Sequence, residues 1–383
     1  MIYLDNAATT LVKPDIVCQR AIASIGAVAN PGRSGHRLSL EAARQVYSAR
    51  EGIATFFNIA DALRVIFCCN CTDALNLAIH GTLQKGDHVV TTTMEHNSVL
   101  RPLNAIEQRV GITQTILEAG PGGIVNAEAV RQAITPQTRL VAITHASNLT
   151  GTVNPIAQIG EICHEKGVLF LVDAAQSAGC VPIDVQAMHI DLLAAPGHKA
   201  LFGLQGTGFL YVGENAHLIE QKQGGTGSRS SDPFQPDLLP DRYESGTLNV
   251  PGIISLGAGV EFIAETGLEA IAAHEARLTR MMLEGLAAIP GVTLYGAADP
   301  ARHVPVAAFN IAGVPSSEAA MVLDMEYDVA TRSGFHCAPL AHISIGTQAM
   351  GAVRMSASFF TTEAEVAEGL RAVQAVARGA KGR

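Results

Sequence analysis

Between about residues 64 and 212, short apolar runs alternate with segments of helical spacing. RVIFCCN at 64–70 has the pattern of a buried strand, and TDALNLAIHGTL at 72–83 follows with apolar positions at helical intervals. DHVVTTT at 87–93 is followed in the same way by NSVLRPLNAIEQRV at 97–110. TRLVAITHAS at 138–147 precedes PIAQIGEICHEKG, where Ile156, Ile159 and Cys163 line one face and Pro155 suits a helix start. VLFLVDAA, IDLLAAP and GTGFLYVG complete the set. Strand–helix alternation with near-continuous apolar strands predicts an α/β fold whose parallel sheet is covered on both faces.

Beyond this region the pattern changes. Residues 223–248 are rich in Gly, Ser, Pro and Asp and read as a long functional loop. A long helix is expected after Pro251, then a Gly- and Pro-punctuated α+β segment from about 290 onward. With 383 residues the chain exceeds what one core usually serves, so two domains are expected.

Charge and cysteine usage narrow the function classes. A net charge of −9 argues against a general nucleic-acid or anionic-membrane binder. No apolar stretch is long enough to span a bilayer, and MIYLDNAATT lacks the form of a secretory signal. Seven scattered cysteines, an odd count, fit reduced thiols and a cytoplasmic setting.

Open α/β sheets bind ligands at the carboxyl ends of their strands. Thr72, His96, Asn148, Asp173 and Lys199 all stand at such ends. Lys199 lies in PGHKALFG, and Asp173 and Gln176 lie at the end of the preceding strand. A lysine amine facing a carboxylate is what pyridoxal phosphate chemistry needs: one forms a Schiff base, the other keeps the pyridine nitrogen protonated. Taken singly, Asp173 reads equally as a helix N-cap, and His96 as a satisfied loop histidine. Cys71-Thr72 opens a predicted helix, a place that can bind phosphate or simply cap. Of Cys68, Cys69 and Cys71, two lie inside an apolar strand and read as buried strand cysteines; no matching second Cys/His pair at zinc-like spacing makes a metal site. Cys337, in the polar RSGFHCAPLAH among Arg332, His336 and His342, is the best nucleophile candidate. Arg354 offers a bidentate fork to a substrate carboxylate.

Together these segments resemble the cysteine desulfurases of the class V, fold-type I aminotransferase superfamily. The match runs from YLDNAATT at 3–10 to VRMSAS at 353–358; its most specific pieces are LDNAATT, MEHNSV, HASNLTGT, DAAQSAG, GHK, ESGTLN and RSGFHCA. The group II (SufS-like) branch is most similar, through Arg332, Gly334, Cys337 and Ala338 in its R-x-G-x-x-C-A pattern. The resemblance implies a fold-type I pyridoxal 5'-phosphate enzyme. Its large domain, 14–255, would hold a mainly parallel seven-stranded sheet. Residues 1–13 and 256–383 would form a smaller α+β domain carrying the catalytic cysteine. It implies no metal.

The resemblance also implies roles. Lys199 would carry the Schiff base and Asp173 would pair with the pyridine nitrogen. Gln176 and Asn148 would contact the ring's phenolic oxygen or its surroundings, and His96 would stack on the ring. Thr72, His198 and the Cys71 backbone would hold the phosphate. Thr247 would reach the phosphate of a neighbouring subunit, making a homodimer. Arg354 would clamp the substrate carboxylate, with Arg332 and Asn30 nearby. L-Cysteine would give L-alanine and a persulfide on Cys337, delivered to a thiol or to a SufE- or SufU-like acceptor. A selenocysteine lyase, a cysteine-sulfinate desulfinase, a C–S lyase and a non-catalytic scaffold remain alternatives. The chain departs from the pattern at Pro196, where serine is usual, and at Asn70-Cys71-Thr72, where Gly-Thr-Thr is usual.

Overall fold

The computed structural model describes residues 1–32 and 35–380. Thirteen strands occur among the described residues: β1 Ile2–Tyr3, β2 Val65–Cys68, β3 His88–Thr92, β4 Thr113–Leu117, β5 Thr138–Thr144, β6 Leu169–Asp173, β7 Leu192–Pro196, β8 Gly208–Val212, β9 Val292–Tyr295, β10 Val306–Ile311, β11 Val329–Ala330, β12 Arg332–Gly334 and β13 Ala352–Ser356. The principal helices are α1 Asp15–Ser24, α2 Arg37–Phe56, α3 Cys71–Thr82, α4 Asn97–Val110, α5 Ala127–Ala133, α6 Ile156–Lys166, α7 Val250–Thr266, α8 Leu268–Ala287, α9 Ser316–Tyr327, α10 Pro339–Ser344 and α11 Glu363–Ala380.

Seven strands form the main sheet in the order β2-β8-β7-β6-β5-β3-β4. All neighbours are parallel except β8, which runs antiparallel to both β2 and β7. The exception has a physical cause. Residues 197–207 contain no helix, and a parallel return needs a crossover. Strand β4, TQTIL, was not legible as an apolar run because it is an edge strand with no fully buried residue.

Alternate strand residues feed two cores, one on each face of the sheet. Val65, Phe67, Val141, Ile143, Phe170 and Val172 pack with α2, α5, α6 and α7. Ile66, Leu140, Ala142, Leu169, Leu171 and Leu210 pack with α3 and α4. Helix ends are set locally: the Asn70 side chain accepts from Asp73 N–H to start α3, and Gly167, at φ 65°, closes α6 in a left-handed conformation. A third core joins α8, α9 and α11 to the antiparallel sheet β12-β13-β10-β9, and Leu4 enters it from the N-terminus. There β1 pairs with β11. Residues 213–249, which include the loop read from composition, contain no helix or strand.

Candidate active site

The carboxyl ends of β2, β3, β5, β6 and β7 converge on a cavity of about 110 Å³. Cys71, Thr72, His96, Asn148, Asp173, Gln176, His198 and Lys199 all line it. The connections that follow the strands bring them together, because each side chain sits at the last residue of a strand or a few residues beyond it.

Asp173 is the buried end of β6. Its Oδ1 accepts from the Ala175 N–H at 2.9 Å and from the Cys71 thiol at 3.6 Å. Oδ2 makes no hydrogen bond among the described residues. The Lys199 amine likewise has no hydrogen-bond partner among them. Burial holds Lys199 below the ordinary lysine range, and the negative charge of Asp173 only partly offsets this.

His96 caps α4. Its Nδ1 accepts from the Ser98 N–H at 3.0 Å, so the ring proton sits on Nε2. The Ser98 hydroxyl bridges His96 Nδ1 at 2.9 Å to the Thr72 hydroxyl at 2.7 Å. Burial holds His96 below the usual histidine range, against the pull of Asp173. His198 is pushed down to about 4 by burial, with Lys199 and Lys13 adding to the shift. Both imidazoles are therefore neutral at pH 7. The Gln176 amide is tied to Ala7 O at 3.0 Å.

Arg354 and Arg332 stand directly opposite one another on β13 and β12. Arg354 is buried. Its guanidinium donates to Asp5 Oδ1 at 2.7 Å and to Asn148 O at 2.8 Å, which leaves Nε without a partner. The Arg332 side chain makes no hydrogen bond or ion pair among the described residues. Only Arg354 of the two guanidiniums has a carboxylate partner, which leaves a local excess of positive charge suited to an anionic ligand.

Cys337 is exposed in the turn between β12 and α10. His336 and Cys337 are both left-handed, at φ 50° and 58°. Consecutive non-glycine residues in this region are strained and persist only when the surroundings hold them. Two hydrogen bonds do so. The Asn97 N–H donates to Cys337 O at 2.7 Å, and the Asn148 amide donates to His336 O at 2.6 Å. The thiol-bearing turn is therefore fastened to the residue after His96 and to a residue of the cavity wall. His336 is neutral, pushed down to about 3 by burial and by Arg354.

Thr247 and Asn30 are not part of this cavity. Thr247 is exposed and lines a separate cavity of about 300 Å³ with Cys69, Asp73 and Lys222. Asn30 lines one of about 180 Å³ with Arg50 and Glu244. Arg50 and Glu244 form a buried bidentate ion pair at 2.7 and 2.9 Å, three residues before Thr247.

Sequence reasoning missed Asp5, Ser98 and Glu95. Asp5 lies within LDNAATT, and Glu95 precedes His96 in MEHNSV, so their motifs were visible but their partners were not. Glu95 is fully buried behind the cavity, with Oε1 accepting from the Thr92 hydroxyl and the Thr144 N–H and Oε2 unpaired. Burial pushes it up to about 8, and Asp173 adds to the shift. A carboxyl raised in the folded state contributes stability below its unfolded pKa and loses it as pH rises through the folded one. Glu95→Gln is therefore expected to raise Tm by several degrees (~5 °C) at pH 8.5 and to have little effect near pH 4.5. Thermal unfolding at the two pH values checks this; an equal change at both would show that Glu95 is not neutral in the native protein.

The residues fit pyridoxal 5'-phosphate. One Asp173 oxygen is committed and the other is free for a protonated ring nitrogen, while an unpaired lysine amine shares the cavity for an aldehyde. Among the described residues no group of His, Cys, Asp and Glu is arranged to hold a metal.

The class-V aminotransferase family model matches residues 2–368. A probable cysteine desulfurase of Methanothermobacter thermautotrophicus is 35% identical over 372 residues, covering 95% of this chain and 92% of that one. One of Synechocystis is 33% identical, covering 99% and 91%. The apo cysteine desulfurase of Thermococcus onnurineus superposes with a TM-score of 0.92 at 32% identity, over 99% of this chain and 95% of that one. The S-sulfonic acid form of the cysteine desulfurase CsdA from Escherichia coli gives 0.88 at 28%, over 98% and 94%. With its mainly parallel sheet and its lysine–aspartate cavity, the chain belongs to the class-V aminotransferases, the fold-type I, pyridoxal phosphate-dependent family that includes the cysteine desulfurases.

Proposed function

We propose that the protein is a cysteine desulfurase: it converts L-cysteine to L-alanine and takes the sulfur as a persulfide on Cys337. The observation that carries this reading is the exposed Cys337 thiol in a strained turn fastened to the wall of the Lys199 cavity. When bound, pyridoxal phosphate supplies an electron sink for the substrate's α-carbon. Lys199 would hold it through its amine, and the same amine, kept more in the basic form by burial, would take the α-proton of the substrate. Asp173 Oδ2 would hold the ring nitrogen protonated, and His96 would pack on the ring. Thr72, His198 and the Cys71 N–H at the start of α3 would bind the phosphate. Arg354 and Arg332 take the substrate carboxylate.

The Cys337 thiolate attacks the substrate sulfur. An S–S bond forms, the Cβ–S bond breaks, and its electron pair passes to the carbon skeleton, which is protonated and leaves as alanine. The persulfide then passes its outer sulfur to a thiol, either a small reductant or an acceptor protein of the SufE or SufU kind. The test is incubation of the holoenzyme with L-cysteine and a reductant. Alanine and sulfide in equal amounts support the reading, and pyruvate in place of alanine makes the protein a C–S lyase.

The domain division we propose is 14–255 against 1–13 with 256–383, α7 being the connecting helix on the large-sheet core. A cytoplasmic setting fits seven cysteines, none in a disulfide. We further propose a homodimer in which Thr247 completes the partner's phosphate site. Its exposure, its separation from the Lys199 cavity and its anchorage by Arg50–Glu244 support this. Mixing Lys199→Ala with Thr247→Ala subunits should then rebuild one intact site per hybrid dimer. Activity should rise above the average of the two parents; no rise after subunit exchange would place Thr247 outside the partner's site.

A further inference from the structure

We propose that Cys71 is a positioning residue for Asp173: its thiol donates to Oδ1 and so fixes Oδ2 as the oxygen that meets the cofactor's ring nitrogen. This rests on the pyridoxal phosphate reading of the cavity. The sequence pattern gave Cys71 only a backbone role at the phosphate. The structure gives its side chain a different partner, on the floor of the site.

A carboxylate has two equivalent oxygens and turns about its last bond unless donors distinguish them. Here both donors, the Ala175 N–H and the Cys71 thiol, converge on Oδ1. Ala175 belongs to Asp173's own turn, so it restrains the carboxylate only as well as that turn is fixed. Cys71 comes from α3, whose Leu75, Ala78 and Ile79 are packed in the sheet core, and it supplies an independent anchor. The thiol is a dependable donor because burial and the neighbouring Asp173 charge push its pKa far up, so it stays protonated. No disulfide competes for it.

The test is a spectrophotometric pH titration of the bound cofactor's visible band in wild type, Cys71→Ala and Cys71→Ser. Loss of the donor in Cys71→Ala should move the midpoint by about half a pH unit or more. It should also lower kcat about fivefold with KM within about twofold, because a misaimed carboxylate weakens the electron sink and not substrate binding. Cys71→Ser keeps a donor and should lie closer to wild type in both measurements. A midpoint and kcat unchanged in Cys71→Ala would overturn the proposal. So would a serine variant as impaired as the alanine one, since the role would then be packing volume. If Cys71→Ala does not fold, Cys71→Val fills the space without a donor and takes its place. Absence of any visible band in the wild type with added cofactor would instead defeat the cofactor reading.

Discussion

Lys199→Ala is expected to abolish the visible absorption of the cofactor-loaded protein and to lower turnover of L-cysteine by at least about a thousandfold. The substitution removes two functions at once. On the proposed mechanism it takes away the amine that would hold the cofactor covalently and the base that would remove the α-proton, a role worth roughly 10²–10⁴ by itself. Among the described residues no other amine lines the cavity: Lys13, near His198, is held by the Thr10 hydroxyl and His198 O. The fold should survive. The Lys199 amine makes no hydrogen bond among the described residues, the substitution keeps the backbone carbonyl that accepts from Thr10 and Phe202, and desolvation opposes the charged form of the amine, so its loss relieves a cost. An absorption spectrum and a circular dichroism spectrum on one sample separate the two effects. A folded, coloured and active Lys199→Ala protein would end the assignment of Lys199.

What the chain's letters revealed of this site follows a physical line. The large sheet was legible because its strands are buried on both faces, and LFLVD became the fully buried β6. Once strands are placed, their carboxyl ends are known, and eight of the predicted residues fell into one cavity. Edge strand β4 escaped because alternation and burial both fade at a sheet edge. The reversal of β8 escaped because direction depends on the connection and not on the strand's own residues.

Side-chain partners were illegible for a different reason. Arg354 reads as a carboxylate clamp from residue type alone, yet it is already paired with Asp5, 349 positions away. Cys71 reads as part of a phosphate turn, yet its thiol faces Asp173. Glu95 stands beside His96 in sequence but is buried behind the cavity. Residue type and spacing fix which chemistry is available. Only the fold decides which atoms meet, and the Arg354–Asp5 pair joins segments from opposite ends of the chain.

Cys337→Ser should separate holding the cofactor from moving the sulfur. The turn's two anchors use the backbone carbonyls of His336 and Cys337, which the substitution leaves in place. The cavity residues are untouched, so the visible band should match wild type. Sulfide and alanine formation from L-cysteine should nevertheless fall by about a thousandfold or more, because a serine hydroxyl is scarcely ionised near pH 7 and is a poor nucleophile toward sulfur. In the wild type, cysteine without reductant should add the mass of one sulfur atom to the peptide carrying Cys337, and none in the variant. A Cys337→Ser enzyme that still releases alanine and sulfide at the wild-type rate would remove Cys337 from the mechanism. L-Selenocysteine supplies the contrast. Selenium leaves carbon more easily than sulfur, so a lyase for that substrate depends less on an attacking thiol. A variant that loses cysteine turnover but keeps selenocysteine turnover would show that Cys337 serves C–S cleavage specifically, and that Lys199 and Asp173 carry the steps common to both substrates.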